Sequence, residues 1–465
     1  MQLAPENLRY DCLRFCCQPE LTAWQLAVDL AKRFNGEIIN GDVVQMYDGL
    51  PIVTNKITAE EQQGIPHHLL GCIALDEETW RVDMFKKKAS QIIKEIRSRG
   101  CLPIVVGGTH YYTQSLLLGD SIIDGVMGSE HESLTKYSNQ EISEKFPILD
   151  GPTKVMLERL REVDPVMAER WHPQDRRKIR RSLEIYLTTG KKASDIYTEQ
   201  KARKAPREID ATTSRDTLEA ETDSSTPYLF WIHAESAKLK ERLDNRVLKM
   251  IKNGLVEEVK SMNAFLQDQA KSDIEVDRTR GIWVSIGFKE FEPYLQALES
   301  ASASQDELSG LFSLAVERTQ AATRQYAKKQ VRWIRLQLIP ALKNDHALAN
   351  LYLFDGSDIA TWEETVSVPA LDVATKLLSG DKVAPPEEVC AIAKDILSPE
   401  NVEKPDIWFR QTCDVCNMTA VTDIQWQTHL KSRRHRGHIK KRQREAVRAS
   451  QQQKSGETGS TSDTP

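Results

Sequence analysis

The chain contains no run of roughly 18 or more apolar residues, so nothing in its 465 residues reads as a membrane span. Cysteine is sparse: Cys12, Cys16, Cys17, Cys72, Cys101, Cys390, Cys413 and Cys416 lack the spacing of a secreted disulfide framework, which favours a reducing compartment. There is no overall excess of positive charge. The formal net charge is -5, which as an average argues against a nucleic-acid binder. Glycine is missing from the beginning of the chain, the first being Gly36. The first residues carry Glu6 and Asp11, so they read neither as a secretory signal nor as an acid-poor transit peptide. What remains, 40% hydrophobic and 28% charged residues, fits a globular protein of two or three domains.

The charge is unevenly spread. From His429 to Arg448 there are nine Lys or Arg and one acid, Glu445. A local patch of this kind matters more for holding a phosphate backbone than the global sum. The same region contains Cys413-x2-Cys416, twelve further residues, then His429-x5-His435. Two thiolates on a hairpin and two imidazoles on a helix can complete a tetrahedron, so a structural zinc ion is expected, with His438 as an alternative to His435. Trp426 and Leu430 would form a miniature core.

Periodicity organises the rest. Leu26, Ala27, Leu30, Ala31 and Phe34 recur at helical spacing, Glu37 to Asn40 reads as a strand ending at Gly41, and Trp80 to Arg99 reads as a helix. Leu102 to Val106 is a continuous apolar run closed by Gly107-Gly108, the pattern of a buried parallel strand. This alternation predicts an α/β fold with a parallel sheet, whose ligands sit beyond the carboxyl ends of the strands, where Asp42 and Thr109 fall. Residues 150 to 200 read as helices, 205 to 227 as a disordered polar loop, and Tyr228 to His233 as a strand. Helices follow over Ser236 to Asn253 and Gln305 to Leu338. Residues 381 to 404 read as a linker with a short helix, and the tail from Ser450 as low-complexity.

Seven blocks in order carry a resemblance. They are QLAVDLAKRFNGEIINGDVVQMYDGLPIVTNK from Gln25, GIPHHLL from Gly64, LPIVVGGTHYY from Leu102 and HPQDRRKIRRSLEIYLTTGK from His172, then RLDNRVLKMIKNGLVEEV from Arg242, IGFKE from Ile286 and TRQYAKKQVRWIR from Thr323. Over roughly residues 22 to 340 the chain resembles the tRNA dimethylallyltransferases (tRNA isopentenyltransferases), and the added finger resembles their eukaryotic form. The resemblance implies a P-loop NTPase-like parallel sheet core, with a helical insertion and a C-terminal two-Cys-two-His zinc finger. It implies transfer of a dimethylallyl group from dimethylallyl diphosphate to N6 of adenine 37 in the tRNA anticodon stem-loop, with Mg2+ on the diphosphate and a monomer in the cytoplasm, nucleus or mitochondrion. The corresponding domains are 1–120 and 228–380 for the catalytic core, 121–227 for the tRNA-binding insertion, 381–405 for a linker, 406–449 for the finger and basic helix, and 450–465 for a disordered tail.

The residues agree with that chemistry. An exocyclic amine is a poor nucleophile, and a carboxylate placed to accept its proton addresses the difficulty, which points to Asp42 as general base. Thr109, after Gly107 and Gly108 where the backbone must approach a ligand closely, would bind the departing phosphate or position Asp42. Gln45 has an amide suited to an adenine edge. The leaving diphosphate needs cations, and Arg246 matches a family arginine that faces it; Arg324 and Lys328 share a helix face and would join it. Lys56 is a weaker candidate for phosphate or RNA, Arg176 and Arg177 are candidates for the anticodon stem, and His67-His68 suit RNA contact or loop packing better than a metal.

One departure stands against this. The family begins with a strand and a loop of the form G-x-x-x-x-G-K-[ST], whose backbone amides cradle phosphates. Here the corresponding stretch, FCCQPELTAW from Phe15 to Trp24, has no glycine and no lysine, and Arg9 to Arg14 lacks a buried-strand pattern. The expectation is that the first strand and its loop are lost, which would leave a sheet edge or gap and weak binding of the diphosphate. Either an unrelated segment replaces the true beginning, or the loop was lost and the chain is a catalytically inactive tRNA-binding relic. A nucleotide phosphotransferase that binds ATP and a DNA-binding regulator with one finger are remoter readings.

Overall fold

The computed structural model describes residues 13–17, 22–117, 139–204, 227–300, 303–344, 346–397 and 408–457. The loop expected at 205 to 227 lies outside them save for Pro227, as does the end of the tail from 458. The chain divides into two compact units, residues 1–119 with 213–403 and residues 120–212 with 404–465.

The first unit is built on a six-stranded sheet: β1 (Leu13–Cys17), β2 (Gly36–Asn40), β3 (His67–His68), β4 (Leu102–Gly107), β5 (Tyr228–His233) and β6 (Leu351–Asp355). The spatial order is β3-β2-β4-β1-β5-β6, and every pairing is parallel. The helices the argument needs are α1 (Thr22–Phe34), α2 (Val82–Ser98), α3 (His110–Leu117), α4 (Ser236–Lys252) and α5 (Gln305–Trp333). All residues of β2 and β4 are buried, as strands covered on both faces must be. Ala23, Leu26, Ala27, Leu30, Ala31 and Phe34 of α1 form one apolar stripe and pack with Ile38, Ile104, Phe230 and Ile232. The alternate residues of β5, Leu229 and Trp231, face the opposite way and pack with Ile334, Leu338, Leu351 and Leu353. Full burial of Leu26 or Leu30 stabilises the fold by about 2 kcal/mol each.

The structure corrects the expectation that the first strand is lost. Leu13–Cys17 lies inside the sheet, with Arg14 opposite Val105 on one side and Leu229 on the other. No gap is left. The strand escapes the sequence pattern because it is five residues long and starts at Leu13, so the window Arg9 to Arg14 mostly precedes it. Its backbone is held by ladders on both sides, which require no apolar alternation. The connection from Cys17 to Thr22 is the four residues 18–21, which lie outside the described residues.

A second correction concerns the linker. Pro386–Val389 and Ala391–Leu397 are helices, and Ala393 and Leu397 are buried against the β5 and β6 face. Their apolar stripe was hidden by the prolines and acids around it. Beyond the sequence reading, β6 and the helix Val368–Ser379 complete the sheet and its cover. The expected helix to Leu338 changes to a widened π turn at Ile334–Leu338. His67 and His68 are spent on packing: His68 Nε2 meets Glu37 at 2.6 Å, Arg99 meets the same carboxylate at 2.8 Å, and His67 Nδ1 meets the Ile65 carbonyl at 2.7 Å.

In the second unit, Thr153–Val163, Pro165–Arg170 and Arg176–Thr189 are helices around Met156, Leu160, Met167, Trp171, Ile179 and Leu183. The C-terminal hairpin pairs β7 (Trp408–Thr412) antiparallel with β8 (Thr419–Thr422), followed by helices Asp423–Leu430 and Arg433–Glu457. No helix among the described residues is long and apolar enough to cross a membrane.

The packing of the presumed linker is directly testable. Ala393→Asp places a carboxylate under β6 and should lower the unfolding free energy by roughly 3 kcal/mol or more. The same change at exposed Lys394 should have little effect. Urea denaturation of both variants distinguishes a packed helix from a loose tether.

Candidate functional site

The site is set by two strand ends that touch. Gly41 N–H donates to the Val106 carbonyl at 2.7 Å, and a Cβ on Gly107 would sit 2.2 Å from the Gly41 carbonyl carbon. Only glycine permits this approach, and it brings the residues after β2 against those after β4. Asn40, buried at the end of β2, accepts from Asp42 N–H at 2.9 Å and donates to the carbonyls of Asp42 and Leu69. That double bond to one residue's backbone fixes the turn. Thr109 Oγ1 accepts from Val43 N–H at 3.2 Å, which ties the turn to β4.

The Asp42 carboxylate is thereby aimed back across the strand ends. Its Oδ1 accepts from Val44 N–H at 3.1 Å, and it also interacts with the backbone N–H groups of Gly108 and Gln45. Burial pushes its carboxyl above the ordinary aspartate range; those N–H groups and the charge of Arg246 on α4 oppose the rise without cancelling it. Gln45 is buried, donates from Nε2 to the Asn55 carbonyl at 3.2 Å, and leaves Oε1 without a hydrogen-bond partner among the described residues. An orphaned buried acceptor beside a carboxylate is the mark of a group waiting for a ligand donor.

Helix α5 closes the site from the other side. Gln330 Nε2 donates to the Gly108 carbonyl at 2.8 Å, and a Cβ on Gly108 would lie 2.6 Å from that nitrogen. The Tyr326 hydroxyl bonds to Thr109 and Gln330, and burial together with the Asp42 charge holds its phenol well above its ordinary value. His110 is buried and stacks on Trp333 at 5.3 Å, and neither ring nitrogen has a hydrogen-bond partner among the described residues. Burial pushes its pKa down to about 4, so it is neutral at neutral pH. Asn40, Tyr326, Gln330 and His110 were missed in the sequence. Tyr326 and Gln330 stand in the same block as Arg324 and Lys328, and attention to charge alone passed over them.

Asp42, Gln45, Gly107, Gly108, Thr109 and Arg246 are thus brought together, whereas other expected residues have different employment. Lys56 donates to the Tyr47 carbonyl at 2.5 Å and lies near that of Gly49, which clamps the loop after the site; burial lowers its pKa. Arg324 forms an ion pair with Asp244, and Lys328 is exposed on α5. In the second unit Arg176 donates to the carbonyls of Gly151, Asp150 and Leu149 at 2.5, 3.0 and 3.3 Å, closing a turn. Arg180 and Arg181 pair with buried Glu184, and Arg177 is exposed.

The finger residues form a compact set. Cys413 Sγ and Cys416 Sγ are 3.8 Å apart, Cys416 Sγ lies 3.5 Å from His429 Nε2, and His435 Nδ1 lies 3.5 and 3.2 Å from the two sulfurs. A tetrahedral zinc ion with ordinary bond lengths separates its sulfurs by about 3.8 Å and sulfur from nitrogen by about 3.5 Å. The four side chains therefore fit zinc, and His438 is exposed outside the set. The miniature core differs from expectation: Leu430 is exposed, and Ala420 and Val421 are buried instead. The hairpin is tied to the helices of its own unit, since His172 Nε2 meets the Thr419 carbonyl at 2.9 Å and Arg410 the Ala168 carbonyl at 3.4 Å. Cys416→Ser should abolish stoichiometric zinc retention and lower the melting temperature; metal analysis and thermal melting followed by circular dichroism check both.

Comparison with known proteins converges on one family. The family model described as IPP transferase matches residues 45–337, and that of a zinc-finger of C2H2 type matches residues 412–435. A tRNA dimethylallyltransferase of Schizosaccharomyces pombe is 37% identical over 441 residues, covering 91% of this chain and 93% of its own. That of Homo sapiens is 32% identical over 421 residues, covering 90% and 84%. A crystal structure of a eukaryotic dimethylallyltransferase acting on tRNA superimposes with a TM-score of 0.73 at 31% identity, covering 95% of this chain and 99% of that one. The chain belongs to the IPP transferase family, whose named relatives are tRNA dimethylallyltransferases.

Proposed function

We propose that the chain transfers a dimethylallyl group from dimethylallyl diphosphate to N6 of adenine 37 in the anticodon stem-loop of tRNA. The observation that carries this reading is the Asp42 carboxylate, held by backbone N–H groups where β2 and β4 end, beside the unfilled acceptor of Gln45. The target base leaves its stack to reach such a site, at a cost of about a few kcal/mol. As the new N6–C bond forms and the allylic C–O bond breaks, Asp42 takes the N6 proton and the electron pair departs with the diphosphate. Gln45 Oε1 accepts from the base and fixes its orientation. Arg246 offsets the charge on the leaving group.

Magnesium suits this site only as a companion of the substrate. Among the described residues the one cluster of three or more candidate metal ligands is the finger set, so a magnesium ion would ride on diphosphate oxygens and water. When bound, it would neutralise diphosphate charge. Zinc belongs to the finger, and the basic residues Arg433, Arg434 and Arg436 beyond it suit an RNA backbone, as does exposed Arg177. Exposed Lys328 is left for phosphate contact, whereas the partners of Lys56, Arg324 and Arg176 give them structural duties. The reading includes a monomer acting in the cytoplasm, with the nucleus or mitochondrion as further places of action.

The turn between β1 and α1 lacks the glycines and lysine that cradle phosphate in a loop of this kind, so the donor binds weakly. That observation favours one second reading, a chain that holds tRNA without modifying it. Purified protein, tRNA and radiolabelled dimethylallyl diphosphate separate the two. Label in adenine 37 supports transfer; retained tRNA affinity with no label supports the second reading. Asp42→Asn should lower the rate by about 100-fold or more while leaving tRNA affinity near its original value. An unaltered rate in that variant would sink the assignment of the base.

The pH profile gives an independent check. The base must be ionised, and burial raises its pKa, so the rate should climb with pH through a midpoint above the ordinary aspartate value. A midpoint at or below that value, measured as kcat/KM for tRNA, would contradict the buried-base geometry.

A further inference from the structure

Tyr326 and Gln330 have no part in the reaction as described, yet their hydrogen bonds restrict what Thr109 can do. A threonine hydroxyl has one proton to give and two lone pairs to fill. Val43 N–H fills one pair at 3.2 Å. Gln330 donates from Nε2 to the Gly108 carbonyl at 2.8 Å, and its Oε1 has no hydrogen-bond partner among the described residues. The amide therefore meets Tyr326 through Nε2, whose second proton points at the phenol oxygen. The phenol, kept protonated by its surroundings, directs its own proton to Thr109 and fills the second lone pair. Thr109 is left able only to donate. Asp42 already takes N–H groups from Val44, Gly108 and Gln45, and Thr109 is not among its partners.

We propose that Gln330, Tyr326 and Thr109 form a one-way donor chain that commits the Thr109 hydroxyl to a diphosphate oxygen, with Tyr326 and Gln330 as positioning residues. The inference rests on the proposed function for the identity of the diphosphate, and it selects between the two roles open to Thr109. The allylic C–O bond breaks toward the oxygen that this chain faces. As negative charge builds there, a hydroxyl polarised by two donors behind it is a stronger donor than an isolated one. No proton crosses the chain. The N6 proton goes to Asp42 and the diphosphate leaves with the electron pair.

Inorganic pyrophosphate is the probe, titrated calorimetrically into the full chain. Tyr326→Phe and Thr109→Val should each weaken its binding by about tenfold, the loss expected for a hydrogen bond to a charged group. The double variant should bind about as well as Thr109→Val alone, because the two changes break one chain. Thr109→Ser keeps the hydroxyl and should stay near the unaltered chain. Tyr326→Phe should also lower kcat for transfer without raising KM for tRNA, a split that general loosening of the fold would not give. The proposal is overturned if Tyr326→Phe binds pyrophosphate as the unaltered chain does, if the losses add in full, or if the unaltered chain binds none. Coupled pyrophosphate binding in a chain that never labels tRNA would leave the donor chain standing and fail the proposed function instead.

Discussion

The backbone contact between Gly41 and Gly107 is the constraint on which the site depends. Two parallel strands end so close that neither glycine has room for a side chain beyond hydrogen. Because the strands end together, the turns that follow them must share space, and each polar group in those turns finds its partner in the other. Val43 N–H reaches Thr109, the Gly108 amide interacts with Asp42, and Gln330 reaches the Gly108 carbonyl from the covering helix. The raised acidity constant of Asp42 follows from this crowding, since a carboxylate pressed among backbone atoms loses water faster than its donors can compensate.

Much of this was legible in the sequence, for reasons that can be named. The apolar run at Leu102 to Val106 closed by two glycines has few interpretations besides a buried strand meeting a ligand loop. Gly41-Asp42 after a short β-prone segment is nearly as restrictive. Cys413, Cys416, His429 and His435 were readable because metal geometry dictates spacing along the chain. Asn40 was not, because its value lies in hydrogen bonds to Asp42 and to Leu69, a partner 29 positions away.

Cations were the least legible. Lys56, Arg176 and Arg324 have the composition of phosphate ligands, yet each is occupied by carbonyls or by an acid of its own unit. A sequence reports that a charge exists but not whether the fold has consumed it, and partners such as Asp244, 80 positions from Arg324, are set by tertiary packing. The hidden strand Leu13–Cys17 teaches the converse. A strand inside a parallel sheet is specified by its two neighbours, and a weak local pattern does not exclude it.

Tyr326 and Gln330 project from one continuous helix of 29 residues, four positions apart. Each added residue turns a helix by about 100° and advances it about 1.5 Å. Substitution along the outer face of this rod alters little, but one inserted or deleted residue before Tyr326 would swing both side chains off the strand ends while preserving every local preference. Over this stretch, divergence among descendants should therefore proceed by exchange of residues, and length should be the property held fixed.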